Sequence, residues 1–249
     1  MGTINIILDR DFKEFKKTKS FLVLIILSII LTVAAVTAIS VLMCRIEWLM
    51  QQPARPMLLM LISLVVYFLP FFIILSFIWA YSSLPVVKEK ANGNITNLIA
   101  TPLNPKKMWI GKSLAIFLPG FIISVISITV FLLVINLVII LGSAIDYVIP
   151  VPLLLTGLVV NPLLFFGLVL LIMLLSLTVN PDIAIAPSFV FGFGLMLGIP
   201  LGIATGTIDL ASWDFFTWYL VSTTVFLIIV ICLSRLLTKE NIVLSGSAG

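Results

Sequence analysis

Long apolar runs alternate along the chain with short charged stretches. Six runs contain no Lys, Arg, Asp or Glu apart from Arg235 near the end of the last: 21–44, 57–84, 113–141, 152–178, 183–205 and 215–237. About 20 helical residues cross the hydrocarbon core of a bilayer, so each run predicts a membrane-spanning helix. The runs are apolar on every face and do not alternate at every second residue, which excludes a membrane β-barrel. Several exceed the length of a straight crossing and predict tilt, kinks or extension into the interface. Ahead of the first run, Ile4, Ile7, Leu8, Phe12 and Phe15 recur at helical spacing, with Asp9, Arg10, Lys13, Glu14, Lys16 and Lys17 on the other face. This predicts an amphipathic helix over 4–19 in the headgroup plane, serving as a simple anchor or as a mechanical element.

Composition narrows the class. The 249 residues are 62% hydrophobic and 10% charged, with a mean hydropathy of +1.33, whereas a soluble domain carries roughly a quarter charged residues. The expected fold is therefore an all-α membrane protein with one transmembrane domain over 1–244, and 245–249 read as a linker or tag remnant. Soluble enzymes, disulfide scaffolds and nucleic-acid readers drop out. The chain has no His, which removes the usual general base and the commonest metal ligand, and its two Cys are too few for a zinc site. No catalytic or metal-ligating residue is expected. The first run is 24 residues long, longer than a typical signal-peptide core, so cleavage is not expected.

Charge placement predicts orientation. Twelve of the Lys and Arg fall before the first run, in the loop after the second, or at the C-terminus, against Arg45 and Arg55 on the opposite side. The positive-inside bias then places both termini and the Lys-rich loop in the cytoplasm. Cys44 and Cys232 lie near opposite faces on this topology and cannot pair.

The loop 85–112 is the most informative stretch. Asn94 reads as a helix cap, followed by Ile95, Leu98 and Ile99 at helical spacing and by Thr101-Pro102 as a stop. Asn104-Pro105 then starts a second helix that runs through Lys106 and Lys107 into the third span. A short apolar-faced helix between two spans suits docking to a cytoplasmic partner, and equally suits resting on the bilayer.

Glu89, Gly93, Ile95, Leu98, Ile99, Thr101, Pro102, Gly111 and Lys112 together resemble the cytoplasmic loop of ABC type-2 permeases. Asn94 and Thr96 depart from the Thr and Glu of that pattern. The resemblance extends over the chain: an amphipathic N-terminal helix, six spans and both ends inside. It implies that helix 4–19 is an elbow helix and that Glu89, Gly93, Ile95, Leu98, Ile99, Thr101 and Pro102 form a coupling segment seated on a separate ATP-binding-cassette ATPase. It further implies two permease copies with two ATPase subunits in a prokaryotic cell membrane, in which ATP and Mg are bound by the partner and this chain carries no cofactor. Export through a pathway between the permeases follows from it, and an apolar lining would suit a lipid, a drug or a peptide antibiotic as cargo. Membrane lipids are the remaining partners, and nucleic acid is not one.

Further features bear on that pathway. Gly194, Gly198, Gly202 and Gly206 recur every four residues around the fifth span and permit close helix approach, within the chain or between copies. Phe72, Leu75, Phe193 and Met196 are candidate pathway-lining residues. Pro70, Pro119-Gly120 and Asn161-Pro162 interrupt spans and free carbonyls that protein or water must satisfy. Asn136 and Asn161 are expected to form interhelical hydrogen bonds. The chain lacks a G-x-x-x-x-G-K-[ST] phosphate loop and has no charge in mid-span. Two other functions stand beside the exporter subunit: a secondary transporter or channel, and a membrane scaffold of a biogenesis complex.

Overall fold

A computed structural model describes residues 3–45, 55–81, 104–142, 149–178 and 184–238. No strand occurs among the described residues. The helices are α1 (Thr3–Lys16), α2 (Lys19–Arg45), α3 (Arg55–Tyr81), α4 (Pro105–Gly142), α5 (Val151–Leu155), α6 (Asn161–Thr178), α7 (Ala186–Ala204) and α8 (Trp213–Leu233). A π-helical turn, Thr156–Val160, joins α5 to α6, and a 3-10 turn, Ser234–Leu236, follows α8. Six segments are long and apolar enough to cross a membrane: Lys19–Val41, Met60–Tyr81, Pro105–Leu137, Val151–Thr178, Ala186–Ala204 and Trp213–Leu236. The protein is a multi-pass helical membrane protein.

Two helix ends depart from the uncharged runs. The third span begins at Pro105 and not at 113, because the Asn104 side-chain oxygen accepts from Lys106 N at 2.9 Å and Pro105 needs no N–H partner in the first turn. Lys106, Lys107 and Lys112 therefore lie on the helix itself. The N-terminal helix stops at Lys16, short of the expected 19, as Thr18 Oγ1 donates to Phe15 O at 2.7 Å and the chain bends before Lys19. Lack of charge marks where hydrocarbon is tolerated, whereas capping groups mark where a helix ends.

Packing places α3 and α6 inside and α2, α7 and α8 outside. The central α3 touches α2, α4, α6 and α7, and Ile62, Val66, Tyr67, Phe71, Ile74 and Ile78 along it are fully covered. Small residues set the close approaches. A Cβ at Gly120 of α4 would come 3.0 Å from Phe77 Cβ, and one at Gly167 of α6 would come 2.7 Å from Leu227 of α8. Large apolar side chains such as Leu22, Ile30 and Val33 on α2 are exposed, which lipid tails accommodate without cost.

The glycine series in the fifth span does not act as one stripe. Among the described residues, Gly194 and Gly198 have nothing within 4 Å of an added Cβ, so packing between the described helices does not explain them. Gly206 has φ +72° and ends α7: its N–H donates to Ile203 O at 3.0 Å, and Thr207 N–H donates to Gly202 O at 2.9 Å, a Schellman cap. Ile208 folds back over Gly202, where a Cβ would lie 2.3 Å from its Cδ1. The glycine that α7 uses to reach α3 is Gly192, packed on Leu75 and Trp79.

Candidate functional site

Three features carry chemistry beyond apolar packing, and α3 runs past or ends at each.

At its C-terminal end lies the bend between α1 and α2. Ile7 and Phe15 of α1 are buried, and between them on the same face sits Asp11, 4% exposed. Its Oδ1 accepts from Arg10 Nη2 at 2.8 Å and Nε at 3.0 Å, while its Oδ2 faces Lys112 Nζ of α4 at 3.5 Å. Lys112 is itself 1% exposed. A buried charge pair fixes geometry strongly, because loss of one partner leaves the other charge buried and less well compensated. Thr18 and Tyr81 share a hydrogen bond at 2.8 Å, and the Phe15 and Tyr81 rings lie 4.7 Å apart. The amphipathic helix is thus clasped to the ends of both α3 and α4.

In the membrane interior, Tyr67, Asn161 and Tyr219 form a closed polar ring. Tyr67 Oη donates to Tyr219 Oη at 3.3 Å, Tyr219 Oη donates to Asn161 Oδ1 at 2.8 Å, and Asn161 Nδ2 donates to Tyr67 O at 3.2 Å. The ring forms where two helices are irregular. Pro162 cannot donate to Leu158, and the chain widens into the π turn just before it. Pro70 likewise leaves Val66 O without its helical partner, and Gly157 of the π turn sits against that oxygen, where a Cβ would be 2.9 Å away. Asn161 therefore makes the interhelical bond expected of it. Asn136 does not: it is half-buried, and its side chain forms no hydrogen bond among the described residues.

Between α2 and α3 lies a cleft of about 260 Å³, walled by Leu27, Ser28 and Leu31 on one side and Phe72, Leu75, Ser76 and Trp79 on the other. Trp79 stacks on Phe189 and Phe193 of α7, with centroids at 5.1 and 5.7 Å, and its indole N–H has no hydrogen-bond partner among the described residues. Of the candidate pathway residues, Phe72 and Leu75 line this cleft and Phe193 stands beside its Trp79. Met196 lies one turn further along α7 and is exposed.

Glu89, Gly93, Ile95, Leu98, Ile99, Thr101 and Pro102 lie outside the described residues. Asp11, Tyr67, Tyr219 and Trp79 were not singled out in the sequence. Asp11 carried a signal, a carboxylate four residues from both Ile7 and Phe15 on an apolar stripe. The aromatic residues carried none, since nothing in their spacing points to partners on other spans. The arrangement holds no nucleophile with a base: it can clasp, hinge and accept an apolar group. No family model matches this chain, and comparison with the curated proteins and with the solved structures finds no match to either.

Proposed function

We propose that this chain is the membrane permease subunit of an ATP-binding-cassette exporter, working with a second permease copy and two separate ATPase subunits to move a hydrophobic or amphipathic substrate. The observation that carries the reading is the Asp11–Lys112 clasp. Lys112 stands two turns into α4, the helix that directly follows the stretch whose sequence resembles a coupling segment. A push on that stretch would reach α4 directly and α1 through the ion pair, which is the linkage a passively driven permease needs. α1 then serves as an elbow helix at the cytoplasmic face of the cell membrane, with both termini inside.

Proton- and ion-coupled secondary transporters usually place an ionisable relay in mid-span, whereas sodium sites can also be built from backbone carbonyls. Among the described spans the interior polar ring is built from uncharged groups, and the buried carboxylate and lysine sit at the bundle's end.

The test is Leu98→Asp. Each apolar side chain of a docked coupling helix contributes about 1–3 kcal/mol of burial, so this change should leave membrane insertion intact and abolish association with the ATPase and substrate-coupled ATP turnover. Unchanged association and turnover would overturn the reading. So would purification of the intact chain from its host membrane without an ATP-hydrolysing subunit.

A further inference from the structure

The cleft between α2 and α3 opens sideways, since Leu27 on its outer lip is 48% exposed. Its hydroxyls are turned away from any occupant: Ser28 Oγ donates to Leu24 O at 2.8 Å and Ser76 Oγ to Ile73 O at 2.8 Å. Apart from the buried indole N–H of Trp79, the wall therefore offers an incoming molecule apolar contact. Leu27 and Leu31 stand about 12–18 Å along α2 from Lys19, at 1.5 Å per residue. That is the middle of a hydrocarbon core about 30 Å thick, where acyl chains are the available ligands.

The other end of α2 supplies a charge. Lys13 is held by Asp9 at 2.7 Å, and Lys16 stands over the Phe12 ring at 4.8 Å. Lys17 and Lys19, at the bend between α1 and α2, are exposed and carry no ion pair among the described residues. Two ammonium groups without an ion pair among the described residues thus sit just before and at the start of α2, about one phospholipid length from an apolar cleft walled by that helix.

We propose that an anionic phospholipid binds along α2, with its phosphate between Lys17 and Lys19 and one acyl chain in the cleft beside Phe72 and Trp79. The site requires only that α2 and α3 span a bilayer, so it stands or falls independently of any ATPase partner. Lysines near an anionic headgroup supply the preference for charge, and the cleft supplies residence that a free bilayer lipid lacks.

Trp79 is the reporter. With Trp48, Trp109, Trp213 and Trp218 replaced by Phe, the full chain is placed in nanodiscs. Phosphatidylglycerol or phosphatidylcholine brominated at mid-chain is then titrated into unbrominated bilayer. Phosphatidylglycerol should reach half-maximal quenching of Trp79 at a mole fraction at least about fivefold lower than phosphatidylcholine. Lys17→Gln with Lys19→Gln should erase that difference, and Ser28→Phe, which fills the cleft, should weaken quenching by both lipids. Equal quenching by the two lipids in the parent chain would overturn the proposal, as would a preference that survives the lysine changes. Absence of quenching by either would mean that something else, such as a second copy, covers the cleft, and would also overturn it. Should the four-Trp replacement fail to fold, native mass spectrometry of the unaltered chain gives the same decision. Bound phosphatidylglycerol should be retained by the parent and lost from the Lys17→Gln, Lys19→Gln variant, and equal retention would overturn the proposal.

Discussion

Each carboxylate oxygen of Asp11 faces a different cation, Arg10 on its own helix and Lys112 on α4. Removing Asp11 takes a carboxylate away from a lysine that is 1% exposed, and breaking a buried pair from one side costs up to about 3–5 kcal/mol. Asp11→Ala should therefore lower stability by that order in detergent unfolding. Asp11→Leu combined with Lys112→Met should cost clearly less than the sum of the single changes, because neither buried charge of the pair is left behind and Arg10 is 44% exposed. Additive losses would mean that the pair is not coupled. The interior ring is expected to be weaker. Interhelical hydrogen bonds in membranes average about 0.6 kcal/mol; Tyr219→Phe removes the bonds with Tyr67 and Asn161, and Asn161→Leu those with Tyr219 and the Tyr67 carbonyl, so each should cost about 1 kcal/mol. No measurable loss from either change in the same unfolding assay would show that the ring contributes nothing to stability. These residues also mark the limit of sequence reading. Asp11 was visible as a misfit on an apolar stripe, but its partner is 101 positions away, and Tyr67 lies 152 positions from Tyr219. Periodicity reports which face a residue occupies and says nothing about which distant helix it meets.

The spans themselves were legible because hydrocarbon imposes one requirement, an uninterrupted run of about 20 apolar residues, that sequence displays directly. Prolines within the runs were legible as interruptions, yet their structural consequences were not. Pro70 stays inside α3, whereas Asn161-Pro162 produces a π turn, and the two irregularities meet through Gly157. A methyl group there would approach Val66 O, a backbone atom that cannot swing aside as a side-chain tip can. Gly157→Ala should thus destabilise the bundle by about 1–3 kcal/mol, the usual cost of overpacking. Gly194→Ala is the control: it meets nothing within 4 Å and gains helix propensity, so it should be neutral or stabilising by up to about 1 kcal/mol. Thermal unfolding of the two variants in the same nanodiscs tests the ranking, and a more harmful Gly194→Ala would place an unseen surface against α7. At the C-terminal end of α7, Gly206 is the one residue whose positive φ demands glycine, a role that the four-residue spacing of Gly194, Gly198, Gly202 and Gly206 concealed.

For the molecule as a whole, exposed apolar surface does not separate lipid contact from contact with another protein, because both are apolar. α7 offers a better discriminator. Val190, Leu197 and Leu201 are 71%, 61% and 64% exposed, and with Gly194 and Gly198 they form one face by helical spacing, opposite the buried Ser188, Gly192 and Ile199. Against lipid, a glycine on that face gains nothing over a larger residue. Against a second copy it lets backbones approach closely, and helix association in membranes depends on such packing. The proposed permease dimer therefore predicts that Leu197→Cys, in a chain whose Cys44 and Cys232 are replaced by Ser, forms a disulfide-linked dimer in native membranes. Adding Gly198→Leu should abolish that cross-link. It should not lower helicity or unfolding temperature, because among the described residues nothing beyond the local helix backbone lies within 4 Å of the new side chain's Cβ. The separation of the two readouts carries the test: a loss of both would mean a folding defect and call for Gly198→Ala as a milder probe, with partial loss of the cross-link expected. Cross-linking at the parent yield in Gly198→Leu would put this face against lipid. The second permease copy would then have to meet the chain elsewhere, or not at all.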